Sequence, residues 1–170
     1  MNKKDFKIKV FSLSERLFPM VARLLGGNSN AEDAIQEIML KLWEKRKQIE
    51  KHPNIQGLVF LTARNYCIDV LRKRSFVLDD STAYFKVEST NQGIQLEWKE
   101  LNNIIIEILK KLPAQQVEVF LMRDIDGYEF SEIAAAIEIK IEHVRVLLSR
   151  ARKQIGVELE NKYNYERGEY

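Results

Sequence analysis

A chain of 170 residues with 45% hydrophobic side chains can form one packed domain or two small ones, which excludes global disorder. Its 27 Lys and Arg against 25 Asp and Glu leave a net charge of +2, so total charge alone implies no anionic partner. Cys67 is the single cysteine, which excludes an intramolecular disulfide, and 7 Gly and 3 Pro with no sustained apolar–polar alternation argue against a sheet.

The expected fold class is therefore all-α. The opening MNKKDFKIKV is broken by charge throughout and no long apolar span follows. A cytoplasmic chain with no membrane insertion is expected.

Phe6, Val10, Leu13, Leu17, Val21 and Leu24 recur at helical spacing, with Pro19 inside the pattern expected to kink or restart the helix. Gly26-Gly27 should end it, and Asn30 with Asp33 resembles a capping pair for the next helix. That helix, AEDAIQEIMLKLWEKR, turns Ala34, Ile35, Ile38, Met39, Leu42 and Trp43 inward. Asp33, Gln36, Glu37, Leu40, Lys41 and Glu44 project, and Leu40 among them is either a partner contact or an ordinary exposed leucine.

Lys45 to Gly57 is polar and carries Pro53, so a loop is expected there. In the helix LVFLTARNYCIDVLRKR, Leu58, Leu61, Tyr66, Ile68 and Leu71 are expected inward, with Arg64, Asn65, Asp69, Arg72 and Lys73 outward. The closing Arg72-Lys73-Arg74 either complements the helix dipole or grips a phosphate backbone, with Asn65 and Asp69 available to bases. Tyr66 and Trp43 could stack on bases or belong to the core.

Residues 75–96 lose helical periodicity and are rich in Ser, Thr, Asn and Asp, the composition of a flexible linker. Fully extended, those 22 residues reach about 73 Å, comparable with two turns of B-DNA. Beyond them Trp98, Leu101, Ile104, Ile105, Ile108, Leu109 and Leu112 form a strongly apolar helix, and Ala114 to Met122 the next. A second bundle of about four helices is expected.

Its last two helices, YEFSEIAAAIEIKIEHVRVLLSRARKQI, read as a helix-turn-helix. Ser131 has the chemistry of an N-cap; Ile133, Ala134 and Ile137 make one apolar face, and Ile141, Val144, Leu148 and Ala151 another. Glu142, His143, Arg145, Val146, Ser149, Arg150, Arg152 and Lys153 point outward. The alternative is a helical hairpin with a solvated charged face.

Local charge sharpens the choice. Residues 1–74 carry +7, residues 75–96 carry −2 and residues 97–170 carry −3, yet Lys140 to Lys153 carries +4. Phosphate attraction acts over about 10 Å, so these two basic regions suggest two nucleic-acid contacts.

The segments AEDAIQEIMLKLWEKR, ARNYCIDVLRKR, KKLPAQQVEVFLMRDIDGYEFSEIAAAI and VRVLLSRARKQI, in that order, resemble bacterial sigma factors of the extracytoplasmic-function type, the fourth group of the sigma-70 family. The resemblance implies that residues 1–74 form the sigma domain two that binds the β′ clamp helices of core RNA polymerase and the −10 promoter element. Residues 97–160 would form domain four, binding the β flap and the −35 element, with 75–96 as linker and 161–170 as a C-terminal tail.

The resemblance also implies the site residues. Asp33, Gln36, Glu37, Leu40 and Lys41 would bind core polymerase. Arg64, Asn65, Asp69, Arg72, Lys73 and Arg74 would meet −10 DNA and assist its melting, and the loop 51–56 matches one that captures a flipped base. Lys140, His143, Arg145, Val146, Ser149, Arg150, Arg152 and Lys153 would meet −35 DNA. The chain departs from the family pattern at Glu138, where Gly is frequent, and at Lys140, His143 and Leu147. An anti-sigma factor is an implied partner.

Elsewhere His52, His143 and Cys67 have no metal-ligand spacing, and no phosphate-cradling glycine loop is present. Asp124 and Asp126 lie without a neighbouring nucleophile and are expected to shape the loop before the helix-turn-helix. Neither enzyme chemistry, metal nor cofactor is expected. The alternative function is a conventional helix-turn-helix regulator that binds duplex operator DNA without polymerase, and a third is a pure interaction module.

Overall fold

The computed structural model describes residues 1–75 and 96–167, all of whose regular elements are helices. Apart from its end residues, the linker expected at 75–96 lies outside the described residues. The described residues divide into two compact units, one of residues 1–75 with 134–138 and the other of residues 96–133 and 139–167.

The first unit opens with α1 (Lys3–Lys9), whose N-cap Asn2 accepts from the Asp5 amide at 2.8 Å. Sequence periodicity suggested one helix interrupted at Pro19. The interruption comes earlier, at Val10 and a single 3₁₀ turn, Phe11–Leu13. Helix α2 (Ser14–Leu25) then runs through Pro19. Proline removes one backbone donor, and the helix carries that loss while burying Leu17, Met20 and Val21 around it.

Gly26 closes α2 in the left-handed conformation, φ 72°, and its amide donates to the Ala22 carbonyl. The Asn30–Asp33 cap expected for the next helix does not form. Helix α3 (Asn28–Glu44) already includes Asn30, whose side-chain amide reaches back to the carbonyls of Leu25 and Gly26. Asn30 therefore satisfies orphan acceptors of the helix before it rather than donors of its own.

Within the expected loop 45–57 stands a one-turn helix, α4 (Arg46–Ile49), because Ile49 is buried in the core. Helix α5 (Ile55–Ser75) then packs with α2 and α3. Its buried face is Val59, Phe60, Ala63, Cys67 and Leu71, whereas Leu58, Leu61, Tyr66 and Ile68 are half-buried. The expected inward set is thus rotated. Leu58 to Leu61 are four consecutive apolar residues, so spacing could not choose among them; packing against two helices did.

In the second unit α6 (Leu96–Leu109) and α7 (Ala114–Phe120) both pack against α9 (Ile141–Arg167). The chain leaves α geometry in a wider π turn at Leu121–Ile125. There the Asp126 amide reaches the Leu121 carbonyl, and Gly127 at φ 78° lets the Tyr128 amide return to Met122. Tyr128 itself is buried.

Ser131 is not the N-cap of α8 (Phe130–Ala136). The helix begins one residue before Ser131, and the buried Glu132 carboxylate accepts from the Glu129 amide at 2.9 Å. That is one half of a capping box, with Glu129 in the cap position. A turn through Glu138, in the left-handed region at φ 57°, leads to α9. Val144, Leu147, Leu148, Ala151 and Ile155 form the buried face of α9, but Ile141, expected inside, is exposed. The departure at Leu147 falls on this buried face. Helix α9 continues to Arg167, through most of the expected tail, and Glu158 on it pairs with Lys111 at 2.8 Å.

Candidate functional site

On α3, Asp33, Gln36, Glu37, Leu40 and Lys41 are all exposed, Leu40 at 57%. Helical spacing does not reveal what lies beside them. Phe6, Phe11, Met39, Leu40 and Trp43 line an apolar groove of about 510 Å³, together with Lys3, Lys7 and Gln36. Phe11, half exposed, lies off the periodic face of the first segment, and that was the signal available. Contiguous apolar surface of this kind marks a partner site more often than a lone exposed leucine does.

Both aromatic residues that could have stacked on bases already carry a cation. Arg46 lies 4.2 Å from the Trp43 ring centroid and donates to its carbonyl, and Phe6 meets that ring edge-on. Lys41 lies 4.7 Å from the Tyr66 centroid. Burial, and then the nearby Glu37 carboxylate, push the Tyr66 hydroxyl above its usual range. Burial likewise drives the Cys67 thiol up to about 12, so the protonated thiol dominates over the reactive thiolate at neutral pH.

Along α5, Asn65, Asp69 and Arg72 fall within about 60° of arc, with Lys73 at the margin. Asn65, Asp69, Arg72, Lys73 and Arg74 are exposed, and Arg64 is half-buried. Arg64 and Arg74 project away from that stripe. Arg74 donates to the Leu25 carbonyl at 3.1 Å, which ties the end of α5 to the end of α2. Its first role is therefore structural, whatever else its remaining donors reach. Ahead of α5, the Asn54 side-chain oxygen accepts from the Gly57 amide at 2.8 Å and caps the helix, while the Asn54 backbone N–H donates to His52 Nδ1.

All eight expected residues at the start of α9 and in the turn before it are exposed: Lys140, His143, Arg145, Val146, Ser149, Arg150, Arg152 and Lys153. They form two stripes. Val146, Arg150 and Lys153 lie on the outer one. Arg145, Ser149 and Arg152 lie on the other, and the segment 123–130 engages both of its ends. Arg152 grips Asp124 with two bonds, 2.9 Å from Nε and 2.6 Å from Nη2. Arg145 lies over Phe130, 5.5 Å from the centroid, rather than against Glu142.

Asp124 thus shapes the entry to the last two helices, as its position suggested. The Arg152 guanidinium is held by Asp124 through Nε and Nη2, so a phosphate contact would fall to its remaining donors. Among the described residues no cluster of three His, Cys, Asp or Glu could hold a metal, and no helix is long and apolar enough to cross a membrane.

Residues 12–77 match the family described as Sigma-70 region 2, and residues 102–155 match Sigma-70, region 4. The chain belongs to the extracytoplasmic-function sigma factors. A relative, ECF RNA polymerase sigma factor EcfG of Rhodopseudomonas palustris, is 25% identical over 136 residues, covering 78% of this chain and 73% of EcfG. ECF RNA polymerase sigma factor SigE of Mycolicibacterium smegmatis is 23% identical over 146 residues, 84% of this chain but only 56% of SigE. The chain therefore matches little more than half the length of that relative.

Among solved structures, the sigma factor RpoE of Bartonella quintana, in complex with the anti-sigma factor NepR, superposes with a TM-score of 0.61. That match has 25% identity and covers 92% of this sigma factor and 98% of RpoE. Membership brings the general role of the family, promoter-specific initiation of transcription with RNA polymerase.

Proposed function

We propose that this sigma factor joins core RNA polymerase through the exposed face of α3 and reads a bipartite promoter with α5 and α9. What carries the reading is that each of the three surfaces is exposed and chemically distinct. The α3 face is polar and edged by an apolar groove, α5 offers amide and carboxylate groups beside cations, and α9 is basic. Residues 1–74 would serve as the clamp and −10 module and residues 97–160 as the β-flap and −35 module. Asn65 and Asp69 would act in melting. An anti-sigma partner follows from the complex that RpoE forms with NepR, and a cytoplasmic location follows from work on promoter DNA.

Run-off transcription with purified core polymerase and genomic fragments tests the whole reading: defined transcripts are expected only when the sigma factor is added. For the α3 face, Glu37→Lys should weaken core binding while leaving helicity intact, since Glu37 is exposed and buries nothing. Core affinity equal to that of the unsubstituted protein would remove α3 from the interface.

A further inference from the structure

The segment 123–130 does more than lead into α8. Arg123 crosses back to donate to the Tyr128 carbonyl at 2.7 Å and lies 3.6 Å from the Glu129 carboxylate. Its guanidinium is 4.7 Å from the Phe130 centroid. Arg145, on the first turn and a half of α9, lies 5.5 Å from the same ring. One aromatic face system therefore holds two guanidinium groups. Arg123 has a carboxylate close by; Arg145 has none in ion-pair range among the described residues, and the ring is its one described partner.

We propose that Phe130 is a positioning residue for Arg145, setting the direction in which its guanidinium leaves α9 and so the sharpness of the base preference that Arg145 imposes. This rests on Arg145 reading a base edge. A long side chain on an exposed helix face samples many rotamers, and each contributes a different reach into the groove. A bidentate Arg–guanine contact accepts only one orientation of the planar fork. Stacking on a ring narrows the sampled set before DNA arrives, so less freedom is lost on binding. The bidentate Arg152–Asp124 pair holds the other end of the same stripe two turns along, which keeps α9 in register with the ring.

The test is selection of a promoter library randomised across the −35 element, using holoenzyme assembled from core polymerase and each full-length variant. Arg145→Ala should relax preference at one position. Phe130→Leu keeps apolar bulk but removes the π face, and should relax that same position about two- to fivefold, the range expected of an exposed cation–π contact. Other positions, core binding and the melting curve should be unchanged. Phe130→Tyr should restore the preference, and Phe130→Met replaces the Leu variant should that one not fold.

If Arg145→Ala relaxes the position while Phe130→Leu matches the unsubstituted protein, the positioning role is overturned and base reading by Arg145 stands. If Arg145→Ala itself changes nothing, both fall. Loss at all positions together, or loss that Phe130→Tyr does not rescue, would make Phe130 a packing residue and overturn the proposal.

Discussion

Replacing Arg152 by Ala separates a structural guanidinium from a DNA-gripping one. The pair with Asp124 is bidentate, at 2.9 and 2.6 Å, and the carboxylate holds the guanidinium above its ordinary arginine range. Hydrogen bonds between charged groups can reach about 1.5–3 kcal/mol. Here, however, Arg152 is 54% exposed and Asp124 25%, so solvent screening brings the pair toward the top of the roughly 0.2–1 kcal/mol range of exposed pairs. A double-mutant cycle of Asp124→Ala and Arg152→Ala, read by urea denaturation, should give a coupling of about 0.5–1 kcal/mol. In the same variants, the salt dependence of −35 binding by holoenzyme should keep its slope for Arg152→Ala. Lys153→Ala on the outer stripe should lower that slope by about one. A coupling below about 0.2 kcal/mol together with a slope reduced by one for Arg152→Ala would refute the structural role and return Arg152 to phosphate.

Holoenzyme carrying Asn65→Ala and Asp69→Ala should bind core normally but give less open complex, seen as weaker permanganate reactivity of −10 thymines; unchanged reactivity would clear these residues of melting. Glu138→Gly should be neutral or stabilising by up to about 1 kcal/mol in thermal melts, since φ 57° strains any residue with a Cβ while Gly adds entropy to the unfolded chain. Cys67 should resist alkylation in the native state. Burial raises its thiol from 9.0 to about 12, so above pH 9 the unfolded chain sheds a proton that the folded chain retains, and stability should fall as pH rises toward 12. Rapid native-state labelling at pH 8 would show the thiol is accessible.

Helix α3 was legible from sequence because, Leu40 apart, its apolar residues occupy one face, with Ile35 and Trp43 half-buried at its margins. Ala34, Ile38, Met39 and Leu42 are buried, and every residue expected outside is exposed. The same single-sided pattern exposed the polar face of α9. Helix α5 was not legible in this way. Its apolar residues are consecutive, so period alone leaves the inner face undetermined, and packing against α2 and α3 selected Val59, Ala63 and Cys67.

Side chains with several donors were the other limit. Spacing predicts that Arg145 and Arg152 project from their helix, whereas Asn30 is expected as a cap and Arg74 as the end of a basic run; all four are exposed. Tertiary structure decided what they reach: carbonyls at the end of α2 for Asn30 and Arg74, Phe130 for Arg145, and Asp124 for Arg152. Asn30 finds its carbonyls within five residues. The partners of the three arginines lie 15 to 49 residues away along the chain, and a helical period records only the direction in which a side chain leaves.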